Sequence, residues 1–252
     1  MSAASRVAGK IHKWLALLMA IQILFWFVSG LFFAIAPIEW VRSEHMIAEQ
    51  PAVPIPMSDA AAGLQRVAAA GAQPGEKVEL RSLLGQPVAV VSAAGAKPRL
   101  YDLGSGRLLS PIPAGLATRI AETDHAGEER ATSVELVEEE SPEYRGALPA
   151  WRVNFDDGGS RSLYVAVDTG AVGARRSTLW RTFDFLWSLH IMDFENHEDF
   201  NTPLLIIATA LGLIVIVSGI VMFPSRLGYN AWRRRRTRAR ATRGVGEPSN
   251  PG

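Results

Sequence analysis

"WLALLMAIQILFWFVSGLFFAIA", residues 14–36, runs for 23 residues without a charged side chain. At about 1.5 Å per residue, a helix of this length crosses the roughly 30 Å of hydrocarbon in a bilayer. A second uncharged run, "LLIIATALGLIVIVSGIVMF", occupies residues 204–223 directly after Pro203, a residue suited to the first position of a helix. The sequence therefore predicts two transmembrane helices, at residues 14–36 and 203–223.

A signal peptide is the competing interpretation of the first run, because "AIAP" places Ala34 and Ala36 in an A-x-A cleavage pattern. The run is longer than the about 7–15 residues of a signal core, and Pro37 would directly follow the cut. These two features favour a helix that is retained in the membrane.

Basic residues are concentrated on the outer sides of the two runs. Eleven Lys and Arg residues lie outside residues 37–203, against one acid, whereas the segment between carries 15 basic and 24 acidic residues, a net charge of −9. Lys and Arg close to a span are retained in the cytoplasm. We therefore expect residues 1–13 to be a cytoplasmic N-terminus and residues 226–252 a basic cytoplasmic tail.

The tail contains "WRRRRTRARATR" at residues 232–243, and clusters of this kind also bind nucleic acid. Close to a membrane exit, however, each basic residue gains about 1 kcal/mol from anionic lipid. We expect membrane lipid to be the partner of this run, and no nucleic acid. The chain has no cysteine, which excludes thiolate catalysis, iron–sulfur clusters and Cys-rich zinc sites.

The segment between the runs repeats itself. "PVAVVSA" at 87–93 aligns with "WRVNFDD" at 151–157, and "LYDLGSGRLL" at 100–109 aligns with "YVAVDTGAVG" at 164–173, both at an offset of 64 residues. In each copy an alternating strand leads through a Gly/Asp turn into another strand, which indicates hairpins. "VEL" recurs at 78 and 134, an offset of 56, so that a polar insertion, "VEEESPEYRGALP", explains the difference.

Each copy begins with a candidate helix. Ser58 is a plausible N-cap for the first, and residues 113–125 form the second, with Ile120 on its apolar face. The segment is therefore predicted to contain two modules, 51–111 and 112–176, each a helix followed by an antiparallel sheet. The predicted fold class is α+β, with two transmembrane helices flanking the tandem modules.

This order of elements resembles the PepSY-associated transmembrane (PepSY-TM) family of bacteria. The resemblance rests on "IHKW" at the start of the first span, on the "VDTGAV" hairpin at 167–172, and on "LWSLHIMDF" at 186–194 ahead of the second span. It implies an inner-membrane protein with its PepSY-like modules in the periplasm. Related modules in peptidase propeptides bind or restrain an enzyme, and larger four-span relatives resemble haem-containing reductases of iron–siderophore uptake.

The chain differs from the reductase-like relatives because it has two spans and no G-x-G-x-x-G fingerprint of a nicotinamide or flavin domain. We therefore expect a non-enzymatic accessory, an inner-membrane-anchored PepSY-like binding module that acts on another envelope protein or forms a homodimer. The alternative is a haem-binding electron-transfer subunit associated with iron or siderophore uptake. The first reading requires no cofactor, and the second requires haem.

Residues 178–200 are predicted to form an amphipathic interfacial segment. On a helix, His190 shares a stripe with Trp180, Phe183, Trp187 and Phe194, so that it packs against the bilayer surface or faces a flat apolar ligand. His12 lies at the opposite mouth of the first span, roughly a bilayer thickness away, so one haem iron cannot bind both. The candidate cofactor-binding residues are His190, His12, Trp187 and Phe183.

The remaining histidines carry weaker signals. His197 lies in "DFENHED", whose ligand types suit a divalent ion but whose spacing matches no ligand pattern, so we expect a solvated connector and no metal. His45 and His125 are expected at the surface. Both spans contain Val-Ser-Gly, at Ser29-Gly30 and Ser218-Gly219. Glycine lets helix backbones approach closely, and the small-x-x-x-small pairs Gly30/Ala34 and Ala208/Gly212 predict packing of the spans on each other or on a second copy.

Overall fold

The structure is a computed structural model that describes the backbone of residues 3–50 and 53–226 and the side chains of residues 9–50 and 53–222. The predicted basic tail lies outside the described residues from residue 227 onwards. Two compact units are present. The helical unit contains the described parts of Met1–Gly30, Leu189–Asp193 and Glu198–Gly252, and the sheet unit contains Leu31–Ser188 and Phe194–His197.

The helical unit contains most of α1, Ala3–Ile35, and α6, Pro203–Arg226. Their segments Gly9–Ile35 and Pro203–Met222 are long and apolar enough to cross a membrane, which confirms the two predicted helices. They pack on each other through Met19, Ala208 and Val215. Gly212 lies in this contact, because a Cβ there would be 3.7 Å from Trp26, whereas nothing lies within 4 Å of one at Gly30. The predicted packing of one span on the other is thus present, but Gly30 takes no part in it.

The sheet unit begins with the last turn of α1, a short α2, Ile38–Val41, and a 3-10 turn, Glu44–Met46. The first module follows, with α3, Met57–Ala69, and the strands β1, Lys77–Leu83, β2, Gln86–Ser92, and β3, Arg99–Asp102. The three strands form an antiparallel sheet in the order β1-β2-β3. Helix α3 starts at Met57 after Pro56, with no side-chain cap, so the predicted N-cap role of Ser58 was wrong.

The second module repeats this order with one more strand. Helix α4, Ala114–Asp124, precedes a four-stranded antiparallel sheet in the order β4-β5-β6-β7. The strands are β4, Ala131–Val137, β5, Ala150–Phe155, β6, Ser162–Ala166, and β7, Val172–Arg176. Strands β2 and β5, and likewise β3 and β6, correspond at the offset found in the sequence. The predicted α+β class with tandem modules is confirmed.

The two modules share one hydrophobic core. Along β2, Val88 and Val90 face α4 and the second sheet, while Ala89 and Val91 face α3, so the first sheet is covered on both sides. Leu100 and Tyr101 of β3 divide in the same way. The layers therefore follow the order α3, first sheet, α4, second sheet, and α4 lies between the two sheets with Gly115, Arg119 and Thr123 exposed.

The polar insertion between β4 and β5 covers the outer face of the second sheet. Glu138, Glu139 and Glu140 are exposed, as expected of a solvated loop, but Tyr144 is only 1% exposed. Its ring stacks on Tyr164 of β6 with 4.6 Å between centroids and 5° between planes. The insertion therefore closes a small second core with Ala150 and Ala174.

Candidate functional site

His190 lies at the end of α5, Thr178–Ile191, and contacts α1 within the helical unit. Its Nδ1 lies 2.7 Å from Oγ of Ser29, and Trp26 donates its indole N–H to the His190 carbonyl at 2.8 Å. Burial lowers the pKa of His190 below its ordinary value, because desolvation disfavours the charged ring. The imidazole is therefore held in a fixed orientation, and burial favours its neutral form.

The hydrogen bonds of Ser29 relate to the tautomer of His190. The Ser29 hydroxyl has one proton, which it donates to the carbonyl of Phe25 at 2.6 Å. With the proton so directed, Oγ accepts from the histidine and Nδ1 of His190 carries the ring proton. In that tautomer of the neutral ring the lone pair is on Nε2.

His12 is held in the same way by the other span. Its Nδ1 lies 2.7 Å from Oγ of Ser218, and the Ser218 hydroxyl donates to the carbonyl of Val215 at 2.9 Å. The neighbouring Gly219 allows this approach, since a Cβ there would lie 3.4 Å from Cε1 of His12. Both histidines are therefore oriented by the serine of a Val-Ser-Gly sequence.

The two histidines lie far apart along α1. His12 belongs to α1 itself, whereas His190 contacts α1 at Ser29, 17 residues further on. At about 1.5 Å per residue the two levels are roughly 25 Å apart. A single chain thus offers one of these imidazoles at each level, in agreement with the expectation from sequence.

Phe183 and Trp187 form an aromatic cluster within the sheet unit. Both pack on Phe33 in the last turn of α1, with ring centroids 4.7 Å and 5.7 Å apart. Phe194 does not continue their helical stripe as predicted, because α5 ends at Ile191 and Met192 has a left-handed φ of 54°. Ser188 is buried and donates to the Phe185 carbonyl.

Hydrogen bonds hold the connector after α5, residues 192–202, in place. His197 Nδ1 lies 2.6 Å from Oδ2 of Asp184, and Trp187 donates to the His197 carbonyl at 3.1 Å. In the helical unit, Oδ2 of Asp193 accepts the backbone N–H groups of Glu198 and Asp199, both at 2.9 Å. Among residues 9–50 and 53–222, no group of three or more His, Asp or Glu residues is arranged to hold a metal ion.

Sequence reasoning placed His125 at the surface, and this was wrong. His125 is 4% exposed, because its ring packs on Phe155 and residues 46–48 pair with the backbone of residues 124–126. Its Nε2 lies 3.4 Å from Glu129 and 3.8 Å from Asp157, which places both carboxylates beside a buried imidazole. The pairing of a distant segment, with no local pattern in the sequence, buries this residue.

A second polar cluster, also missed from the sequence, joins α5 to the second sheet. Arg181 donates from Nε to Glu143 at 2.7 Å, and the Tyr164 hydroxyl donates to the same carboxylate at 3.0 Å. Burial would raise the pKa of Glu143, but the hydrogen bonds and charge of Arg181 outweigh it and hold the pKa below its ordinary value. Burial, followed by the charge of Glu143, raises the pKa of Tyr164 to about 12.

A known family matches this chain over nearly its whole length. The profile of the family described as the PepSY-associated TM region matches residues 10–244, which include both apolar helices and both modules. The chain belongs to this family. Searches against curated proteins and against solved structures gave no match. The protein is thus a PepSY-associated TM protein by its sequence profile, and its described residues form an α+β structure with two helices long and apolar enough to cross a membrane.

His12 and His190 are the residues of this PepSY-associated TM protein that would hold a haem, each through a ring nitrogen. Each ring is oriented by a serine through its Nδ1. An apolar groove of about 520 Å³ between α1 and α6, lined by Trp26, Phe27 and Gly212 among others, has no histidine in its lining. This groove would therefore supply no second histidine to such a group.

Proposed function

We propose that this PepSY-associated TM protein is a non-enzymatic accessory whose modules bind another protein of the cell envelope. Family membership supports a membrane-anchored PepSY protein. The geometry adds a surface suited to protein binding, the free edge of β4. That edge is the observation on which the proposal rests.

Among the residues that the structure describes, strand β4 is the outermost strand of the second sheet and pairs with β5 alone. Four of its seven residues are exposed, including Glu135 and Leu136, and Leu136 is 45% exposed. An exposed edge strand presents unpaired backbone groups to which an extended segment of a partner can add as a further strand. The apolar side chain of Leu136 supplies contact area beside those hydrogen bonds.

Photo-crosslinking in cells tests this proposal. A photoreactive residue replacing Glu135 is expected to form one discrete adduct with an envelope protein, and Leu136→Asp in the same chain should abolish it. The matched control replaces Arg107, which is exposed and follows the turn after β3 in the first module. An identical adduct from position 107, or no adduct from position 135, would contradict the proposal.

We further propose that the protein lies in the bacterial inner membrane, with both termini cytoplasmic and the modules periplasmic. The support is the charge distribution, eleven basic residues outside residues 37–203 against a net charge of −9 within them. A reporter that is active only in the periplasm should work after insertion at Gly127 and fail when fused after Gly252. The reverse pattern would overturn this topology.

A second candidate function, a haem-binding electron-transfer subunit associated with iron or siderophore uptake, is favoured by the two serine–histidine hydrogen bonds. Haem, when bound, supplies one-electron redox chemistry. The chain would contribute His190 or His12 as a ligand through Nε2, while Ser29 and Ser218 keep the rings oriented. Because the two levels are roughly 25 Å apart, the second ligand comes from a second copy or another protein.

The two candidates are distinguished by visible spectroscopy of protein produced with haem available. The haem function predicts a strong absorption band at roughly 400–430 nm. The band should be lost in His190→Ala or reduced in His12→Ala, depending on which histidine binds the haem. It should be retained in His197→Ala. Ser29→Ala should shift the band, because it removes the hydroxyl that is hydrogen-bonded to Nδ1 of His190. A colourless wild-type protein would contradict the haem function, and only the accessory function would remain.

A further inference from the structure

A cavity of about 250 Å³ lies inside the sheet unit, where the two modules meet. Its wall combines the end of β1, the C-terminal half of α4 and the turn between β6 and β7. The residues that matter for its chemistry are Arg81, Leu83, Ile120, Asp124, Ala171 and Arg175. We call this space the arginine cavity.

One of the two guanidinium groups is already neutralised. Arg175 binds Asp124 through two parallel hydrogen bonds, from Nε at 2.6 Å and from Nη2 at 2.5 Å. This is the bidentate geometry in which arginine pairs most strongly with a carboxylate. Asp124 is buried, so the pair is a fixed part of the wall.

Arg81 has no such partner. It donates to the carbonyl of Thr169, and its Nε is buried without a hydrogen bond, so one of its five N–H groups is bonded. In the described part of the chain no carboxylate lies within ion-pair distance of Arg81. Burial lowers the pKa of Arg81, and the charge of Glu79 offsets only part of this effect. The cavity therefore holds a partly buried cation that no carboxylate of the described residues pairs with directly, an arrangement that costs free energy until an anion is bound.

Charge and shape define the anion. Arg81, Arg175 and Asp124 give the wall a net charge of +1, which matches a monoanion. The planar guanidinium group matches a carboxylate in geometry. Leu83 and Ile120 make part of the wall aliphatic, and the volume holds roughly eight groups the size of a water molecule.

We propose that the arginine cavity binds the carboxylate of a short aliphatic acid, with Arg81 as the anion-binding residue. The acid is either a free small molecule or the C-terminal residue of a polypeptide, since both present a carboxylate on a short apolar group. The residues of this site are not those of the β4 edge or of the serine–histidine contacts. Its failure would leave the proposed binding of an envelope protein unaffected.

Calorimetric titration of the full-length protein in detergent tests the site. Butyrate represents the free acid and N-acetyl-leucine the polypeptide terminus, and butyramide and N-acetyl-leucinamide are their uncharged counterparts. We expect at least one acid to bind, with a dissociation constant on the order of 1 mM, and its amide to bind at least tenfold more weakly. Which acid binds more tightly identifies the source of the carboxylate.

Three variants assign the binding to the cavity. Arg81→Met should weaken the acid at least tenfold, and Arg81→Lys, which keeps the charge but loses the planar fork, should weaken it less. Arg107→Met removes an exposed arginine outside the cavity and should leave affinity unchanged. Ala171→Leu fills the cavity while both arginines remain, so it distinguishes loss of the site from misfolding of the Arg81→Met variant.

Four results would overturn the proposal. The first is binding of neither acid to the wild-type protein, and the second is equal binding of an acid and its amide. The third is tighter binding of inorganic phosphate than of both acids, which would exclude the carboxylate class. The fourth is wild-type affinity in both Arg81→Met and Ala171→Leu.

Discussion

Leu100 tests whether the two modules form one cooperative structure. Its side chain is completely buried in the core that the first sheet shares with α4 and the second sheet. Leu100→Ala removes three carbon groups, worth about 2.4 kcal/mol at about 0.8 kcal/mol each. A residual cavity of roughly 60 Å³ adds about 1.4 kcal/mol. We expect the free energy of unfolding to fall by about 4 kcal/mol for both modules together.

Hydrogen exchange followed by mass spectrometry measures the exchange rates of backbone amides in each module separately. If they unfold together, the slowest amides of β2 and of β6 should both exchange roughly 10³-fold faster in Leu100→Ala. Leu108→Ala is the matched control, because Leu108 is 49% exposed and its truncation leaves no buried cavity. Faster exchange in β2 with unchanged exchange in β6 would refute the shared core and show two independent modules.

Three further predictions concern stability. Gly63→Ala should destabilise the protein by about 1–3 kcal/mol, because its Cβ would lie 2.6 Å from a side-chain carbon of Leu103. Gly115→Ala on α4 meets nothing within 4 Å and should stabilise the protein by about 0.5–1 kcal/mol. Urea titration measures both changes, and equal effects would contradict the packing of α3. The lowered pKa of Glu143 contributes stability that is present above its unfolded pKa and is lost as the pH falls through its folded pKa. The free energy of unfolding should therefore change less between pH 7 and pH 3 in Glu143→Gln than in the wild type. An unchanged difference would argue against the pairing of Glu143 with Arg181. Tyr144→Ala should cost about 3–5 kcal/mol and Tyr144→Phe about 1 kcal/mol, which thermal melting would show, and a neutral Tyr144→Ala would mean that the insertion does not cover the sheet.

The repeat could be predicted from the sequence because its pattern is local. Alternating residues and Gly/Asp turns mark β2, β3, β5 and β6 within each copy, and the common offset relates the copies. The burial of both faces of the first sheet could not be predicted in the same way. Which face of the sheet α4 covers depends on packing between the modules. Val88 and Ala89 point to opposite faces but are both apolar, so the strand lacks the apolar–polar alternation that marks a half-buried strand, and a run of apolar residues alone does not assign each face to a partner.

The histidine contacts were only half predictable. The sequence identified His12 and His190 and the repeated Val-Ser-Gly, but only the glycines were assigned a role in packing. The bonds to Ser218 and Ser29 join residues 206 and 161 positions apart, and no spacing rule relates such residues. A polar side chain inside an apolar run, at the same place in both spans, was the signal that could have suggested a hydrogen-bonding partner.

The shared core has a consequence for the order in which the protein is made. A nascent chain completes α3 and the first sheet before residue 114, when neither α4 nor the second sheet yet exists. Until then, the face of the first sheet that carries Val88, Val90 and Leu100 has nothing to cover it. The first module is therefore an unfinished half during synthesis and export, and a product truncated ahead of α4 would present an apolar sheet face to chaperones and proteases.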